Sequence, residues 1–257
     1  MRFSATLATV FWMISSAILP ASDPAVVPQG PSFRVETEVF AADSIQPAAR
    51  HLILFDSGVI YDVRLDDDRI ATMYDPTRGR VILIDRLNRE QVVLSTEELL
   101  TATARARAAI EQEGRAEYFG LLAQVSKLEK EEPGDPQRYQ IAFGDTTYTT
   151  TTIAVRKPQI ATAYNHFATL ASQLNVSRQI GLPPFARMTL GQYIADMGHL
   201  PLATTLELKL KRGMKPQRFR SQLQVVEQLS LVDRERIAEV GRVLAECKPV
   251  ELAAFQQ

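Results

Sequence analysis

The chain has 257 residues, of which 46% are hydrophobic and 23% charged, with 29 Lys+Arg against 30 Asp+Glu and a formal net charge of −1. Such a chain can bury a sizeable core, which excludes a wholly disordered protein, a collagen-like repeat and a coiled coil. Near-neutral charge and 7% aromatic residues give no general electrostatic or stacking case for nucleic acid as a partner.

The first segment is the most specific signal. Met1-Arg2-Phe3-Ser4 precedes an apolar stretch, Ala5 to Leu19, and then Pro20-Ala21-Ser22-Asp23-Pro24-Ala25. A positive start, a short apolar core and a small-residue exit fit a secretory signal peptide, 1–21, with the cut placed after Ala21. The stretch is short for a membrane span, which takes roughly 20 apolar residues. An uncleaved anchor or a buried first helix is the alternative. The expected location is outside the cytoplasm, periplasmic or extracellular, and no span is expected in the mature chain. Residues 22–32, with Pro24, Pro28, Gly30 and Pro31, read as a linker, and 33–257 as a single α+β domain.

From Phe33 the pattern has period two, with Phe33, Val35 and Val39 alternating with Arg34, Glu36 and Glu38. A run of hairpins follows. His51–Phe55 ends at Asp56-Ser57-Gly58, and Val59, Tyr61, Val63 and Leu65 alternate with Ile60, Asp62 and Arg64. Asp66-Asp67-Asp68 reads as a turn, since it lacks the spaced ligands and the glycine of a calcium loop. Arg69–Asp75, Arg80–Asp85 and Gln91–Leu94 are further strands with tight turns between them. Gaps this short demand antiparallel pairing.

Ser95 with Glu98 has the capping-box pattern, so a helical stretch is expected from Ser95 or Thr96 to about residue 132, divided at Gly114. Two strands come next, at Tyr139–Phe143 and Thr147–Val155, where a threonine run favours a pleated surface. Pro158 opens a helix to about Asn175, and Met188–Met197 makes a shorter one. In the last hairpin Leu202, Leu206, Leu208 and Leu210 share a face with Thr204, and Phe219, Leu223 and Val225 repeat the alternation. Ser230 and Asp233 can cap a final helix whose inner stripe is Ile237, Val240, Leu244 and Cys247. Cys247 therefore reads as core.

Motifs with chemistry are sparse. His51, His166 and His199 show no metal-ligand spacing, and no Walker loop, GxSxG or GxGxxG is present. No cofactor, metal or catalytic residue is expected. Asp56, Asp62, Asp75 and Asp85 lie at or near strand ends, and a pair of them brought together would be the route to a hydrolase. Lys209-Leu210-Lys211-Arg212, with Lys215, Arg218 and Arg220, concentrates positive charge at one hairpin. It suits either an acidic partner or a solvated edge.

The strand Ile70-Ala71-Thr72-Met73-Tyr74-Asp75-Pro76, followed by Arg80–Asp85, resembles the strand ending in Tyr-Asp-Pro of the periplasmic lipoprotein-carrier superfamily (LolA, LolB and related envelope proteins). The hairpin at 202–229 is similar to that family's late strands. The resemblance lies in the order of elements over most of 33–230. It implies a curved, mostly antiparallel sheet of about ten strands, an unclosed half-barrel whose apolar concave face is covered by helices. The family's usual helix before the first strand is replaced here by the proline-rich linker.

The expected function is an exported, non-enzymatic binding protein that holds a lipid, an acyl chain or an apolar peptide in the half-barrel. The candidate lining is Val59, Tyr61, Val63, Leu206, Leu208, Leu210, Phe219 and Leu223. The alternatives are an envelope structural or protein-interaction module, using the basic hairpin or the 96–132 helix, and a hydrolase with carboxylates assembled by the fold.

Overall fold

The computed structural model describes residues 30–255 apart from 42–43, 130–131, 133–135 and 210–215. The expected signal peptide, residues 22–29 of the linker and Leu210 lie outside the described residues. The strands are β1 (Phe33–Ala41), β2 (Ala49–Asp56), β3 (Val59–Arg64), β4 (Ile70–Asp75), β5 (Arg80–Asp85), β6 (Glu90–Ser95), β7 (Val125–Leu128), β8 (Arg138–Phe143), β9 (Thr146–Ala154), β10 (His199–Leu208), β11 (Gln217–Val226) and β12 (Lys248–Pro249). The helices are α1 (Thr96–Gln112), α2 (Pro158–Ser177), α3 (Phe185–Asp196) and α4 (Leu231–Glu246). All twelve strands form one sheet in the order β12-β6-β5-β4-β3-β2-β1-β11-β10-β9-β8-β7. Every pairing is antiparallel except β12 with β6. The sheet does not close, and the fold is an α+β unclosed half-barrel. Among the described residues no helix is long and apolar enough to cross a membrane.

The meander β2–β6 is built by its turns. Ser57 and Gly58 have φ of 53° and 83°, the two positive values that a two-residue hairpin needs to match strand twist. Asp75 accepts from the Arg78 amide at 3.2 Å. Asp85 accepts from the amides of Leu87 and Asn88 at 3.0 and 2.9 Å. A short acceptor at a strand end satisfies the orphan amides of the following turn. The expected capping box forms at Ser95 and Glu98, and a second forms at Ser230 and Asp233.

Cross-strand partners share a face, so the register defines two sides. The inner side carries Phe33, Val35, Ile53, Phe55, Ile60, Tyr74, Val81, Leu83, Val92 and Leu223. The α2 residues Ile160, Tyr164, Phe167, Leu170 and Leu174 pack on it, and Leu99 of α1 joins them. Phe167 meets Phe55 and Tyr74 edge-on, at centroid distances of 5.9 and 5.2 Å. Farther along the same side, Ala186, Leu190 and Ile194 of α3 cover Tyr139 and Ile141. Gly120 lies under this contact with φ +75°, and a Cβ there would stand 2.8 Å from Ala186 Cβ.

The outer side is half covered. Val63, Ala71, Met73, Ile82 and Ile84 pack against Val240 and Cys247 of the α4 region. This cover explains why β4 and β5 read as nearly continuous buried runs, since each is dry on both faces. β11 has no such cover outside: Gln217, Arg218, Phe219 and Arg220 are all exposed, and from Ser221 exposed residues alternate with partly or fully buried ones.

The structure corrects four expectations. Among the described residues the sheet has twelve strands, because Val125–Leu128, read as helix, pairs with β8, and Lys248–Pro249 pairs with β6. The helix starting at Thr96 ends at Gln112, and turns occupy most of the stretch from there to β7. Helices cover both faces and not only the concave one, with α4 on the outer side. Leu202 falls at a register shift between Pro201 and Ala203, which removes it from the ladder shared by Thr204 and Leu206.

Candidate functional site

The eight residues expected to line one cavity do not share a face. Val59, Tyr61 and Val63 point outward, where they belong to the cluster under α4 with Val243 and Leu244. Leu206, Phe219 and Leu223 point inward, and Leu208 shares that side. The physical reason lies in β3, where Ile60 and not Val59 pairs with Tyr74 on the α2 side. Leu223 is buried in the main core. Leu210 is outside the described residues.

Leu206, Leu208 and Phe219 remain as a group at the free end of β10 and β11. Leu206 and Phe219 are direct cross-strand partners. Tyr148 of β9 stands opposite Leu206 on its other side. Among the described residues, none of the three packs into the clusters under α2, α3 or α4. Phe219 is 36% exposed, and both leucines are half-buried. Helix cover therefore stops before the apolar stripe does.

A polar island interrupts the inner face beside the core. His51 Nδ1 and Asp62 Oδ1 lie 2.7 Å apart. Thr37 is the cross-strand partner of His51 on its other side, and Thr37 Oγ1 is buried without a hydrogen-bond partner among the described residues. Burial pulls the His51 imidazole towards neutrality, but the hydrogen bond and charge of Asp62 outweigh it, and the pKa rises above its ordinary 6.5. Sequence reading set this histidine aside for lack of a metal spacing. The usable signal was two inward positions on the adjacent strands of one hairpin.

The other carboxylates have local partners. Asp56 accepts from Ser32 Oγ at 2.9 Å. Asp75 pairs with Arg78 and Arg80 at 3.0 and 3.2 Å, and Asp85 with Arg69 at 2.7 Å. Register puts Asp62 and Asp85 on the inner side and Asp56 and Asp75 on the outer. In the acidic turn, the Arg64 hydrogen bond holds the Asp66 carboxyl down at about 2, and Asp67 accepts from the Arg69 amide at 3.1 Å. Cys247 is buried at 8% exposure, and burial pushes its thiol up, as expected of a core residue.

No family model matches the chain, and no curated protein matches it. Among solved structures, the chain is similar to the crystal structure of a LolA superfamily protein from Nitrosomonas europaea. The identity is 10% and the TM-score 0.30, covering 81% of this chain and 90% of that chain.

Proposed function

We propose that this protein is an exported, non-enzymatic binding protein that seats an acyl chain at the free end of β10 and β11, on the inner face. One observation carries the reading: Leu206, Leu208 and Phe219 face the helix side of the sheet, and no described helix covers them. An apolar stripe that the fold itself leaves uncovered is a surface for something else to dry. Tyr148 extends the stripe sideways onto β9, and the row Thr150, Thr204 and Ser221 separates it from Leu223 and the packed core, so a chain seated there would meet apolar atoms at the rim and stop at that row.

The mature chain should bind a fluorescent fatty-acid probe saturably. Phe219→Ser with Leu206→Asn should weaken that binding strongly and leave the urea midpoint nearly unchanged. Probe binding that is absent from the wild type, or unchanged in the double variant, would remove this reading. Ester or amide turnover that disappears in His51→Ala would instead favour the hydrolase alternative, built on the His51–Asp62 pair.

A further inference from the structure

The outer faces of the same strands carry a different surface. Arg138 of β8, Thr149 of β9, Thr205 and Glu207 of β10, and Arg218 and Arg220 of β11 line an open trough of about 480 Å³. Sheet geometry fixes this set. Thr149 pairs with Thr205, Thr205 with Arg220, and Glu207 with Arg218, so their side chains emerge on one side in adjacent rows. No described helix packs there, in contrast to the α4-covered half of the outer face.

The charges are arranged unevenly. Beside the single lining carboxylate, Glu207, stand the guanidiniums of Arg218 and Arg220 on β11, with Arg138 at the far side of the trough. Glu207 Oε2 accepts from Arg218 Nε at 3.0 Å, which uses one edge of that guanidinium and fixes its position. The Arg220 guanidinium lies 4.6 Å above the Phe40 ring. Stacking of this kind holds the plane without consuming N–H donors. Among the described residues Arg220 forms no ion pair, so its N–H donors are not taken up by a carboxylate. Hydroxyls of Thr149 and Thr205 stand between the arginines as neutral donors.

Planar guanidinium forks match carboxylate and phosphate oxygens alike and repel a cation, and the hydroxyl donors beside them can meet the further oxygens that a tetrahedral phosphate carries and a carboxylate lacks. We infer that this trough binds a phosphate group. The inference does not depend on the acyl-chain reading, which uses the opposite face and other residues. The phosphate could arrive as a soluble phosphorylated molecule or as the headgroup of an anionic phospholipid.

Two probes separate these sources. Inorganic phosphate is titrated calorimetrically into the mature chain at low salt. Vesicles of phosphatidylcholine, with and without phosphatidylglycerol, are tested by co-sedimentation. The comparison variants are Arg220→Ala, Arg218→Ala and the double substitution, all at exposed positions, with folding checked by circular dichroism. Each lost guanidinium should weaken binding about tenfold, and added salt should weaken the wild type. Phosphate binding lost in the double variant, without vesicle binding, supports a soluble ligand. Binding only to phosphatidylglycerol vesicles, lost in the double variant, supports a headgroup. No saturable binding of either probe would overturn the inference, and so would binding that the double variant retains in full.

Discussion

Phe167 and Phe219 are the same residue type in opposite circumstances, and their truncation separates packing from binding. Phe167 is 6% exposed and sits between Phe55, Tyr74 and Tyr164, with ring centroids at 5.9, 5.2 and 6.1 Å. Phe167→Ala removes those contacts and opens a cavity between α2 and the sheet, at a cost of about 4 kcal/mol. In a chain of this size that is a fall in melting temperature of about 8–16 °C. Phe219, at 36% exposure and outside all three clusters, should cost no more than about 0.5 kcal/mol when cut to alanine. Urea titrations followed by circular dichroism would give both values, with unchanged slopes showing that the unfolded states are comparable. A loss below about 1 kcal/mol for Phe167→Ala, well under the usual cost of such a truncation, would mean that α2 is not docked as described. A loss near that of Phe167 at position 219 would mean that the rim is closed and that the proposed acyl seat does not exist.

The His51–Asp62 pair makes stability depend on pH. A histidine whose folded pKa lies above its unfolded value contributes stability that is full below about 6.5 and lost as pH rises through the folded value. Urea midpoints measured from acid to mildly alkaline pH should therefore fall across that window in the wild type, and Asp62→Asn should flatten the fall. An unchanged profile in the variant would show that another group titrates. Gly120→Ala should destabilise by about 2–4 kcal/mol, because a side chain is strained at that φ and collides with Ala186. A thermal melt equal to the wild type would refute that contact. Ser230→Ala should cost about 1 kcal/mol through loss of the α4 capping box, read from the denaturant midpoint; no change would mean that the start of α4 is held by packing alone.

The meander was legible because its strands alternate and its turns are short, as at Asp56-Ser57-Gly58. Which side faces the helices was not. In β3 the stripe Val59, Tyr61, Val63 looks like the drier face beside Ile60, Asp62, Arg64, yet α4 covers the first and α2 the second. Alternation reports that two faces differ; when both are covered it does not say by what. β7 was missed because four residues, two of them exposed, carry little pattern amid helix-forming neighbours. β12 was missed because two residues carry none, and its pairing rests on the backbone bonds from Lys248 and Val250 to β6 and its preceding turn, with one side-chain bond from Gln91. The arginine trough needed the strand order, since Arg138 meets Arg218 and Arg220 only after β9 and β10 are laid between them. Leu206, Leu208 and Phe219 were legible as one inward stripe, although sequence could not show where the helices would stop.

The pairing of β1 with β11 sets an order for the protein's assembly. Arg34 is registered against Val226, so the strand that begins the described chain gains its second neighbour only after β2 to β10 have been made. The same holds for cover. β4 and β5 are apolar on both faces, yet the helix that dries their outer side spans Leu231–Glu246. A nascent chain that has completed the first six strands would carry Met73, Ile82 and Ile84 in water until α4 emerges. Stop codons or cleavage ahead of Leu231 should therefore yield sticky, chaperone-bound fragments rather than smaller folded proteins.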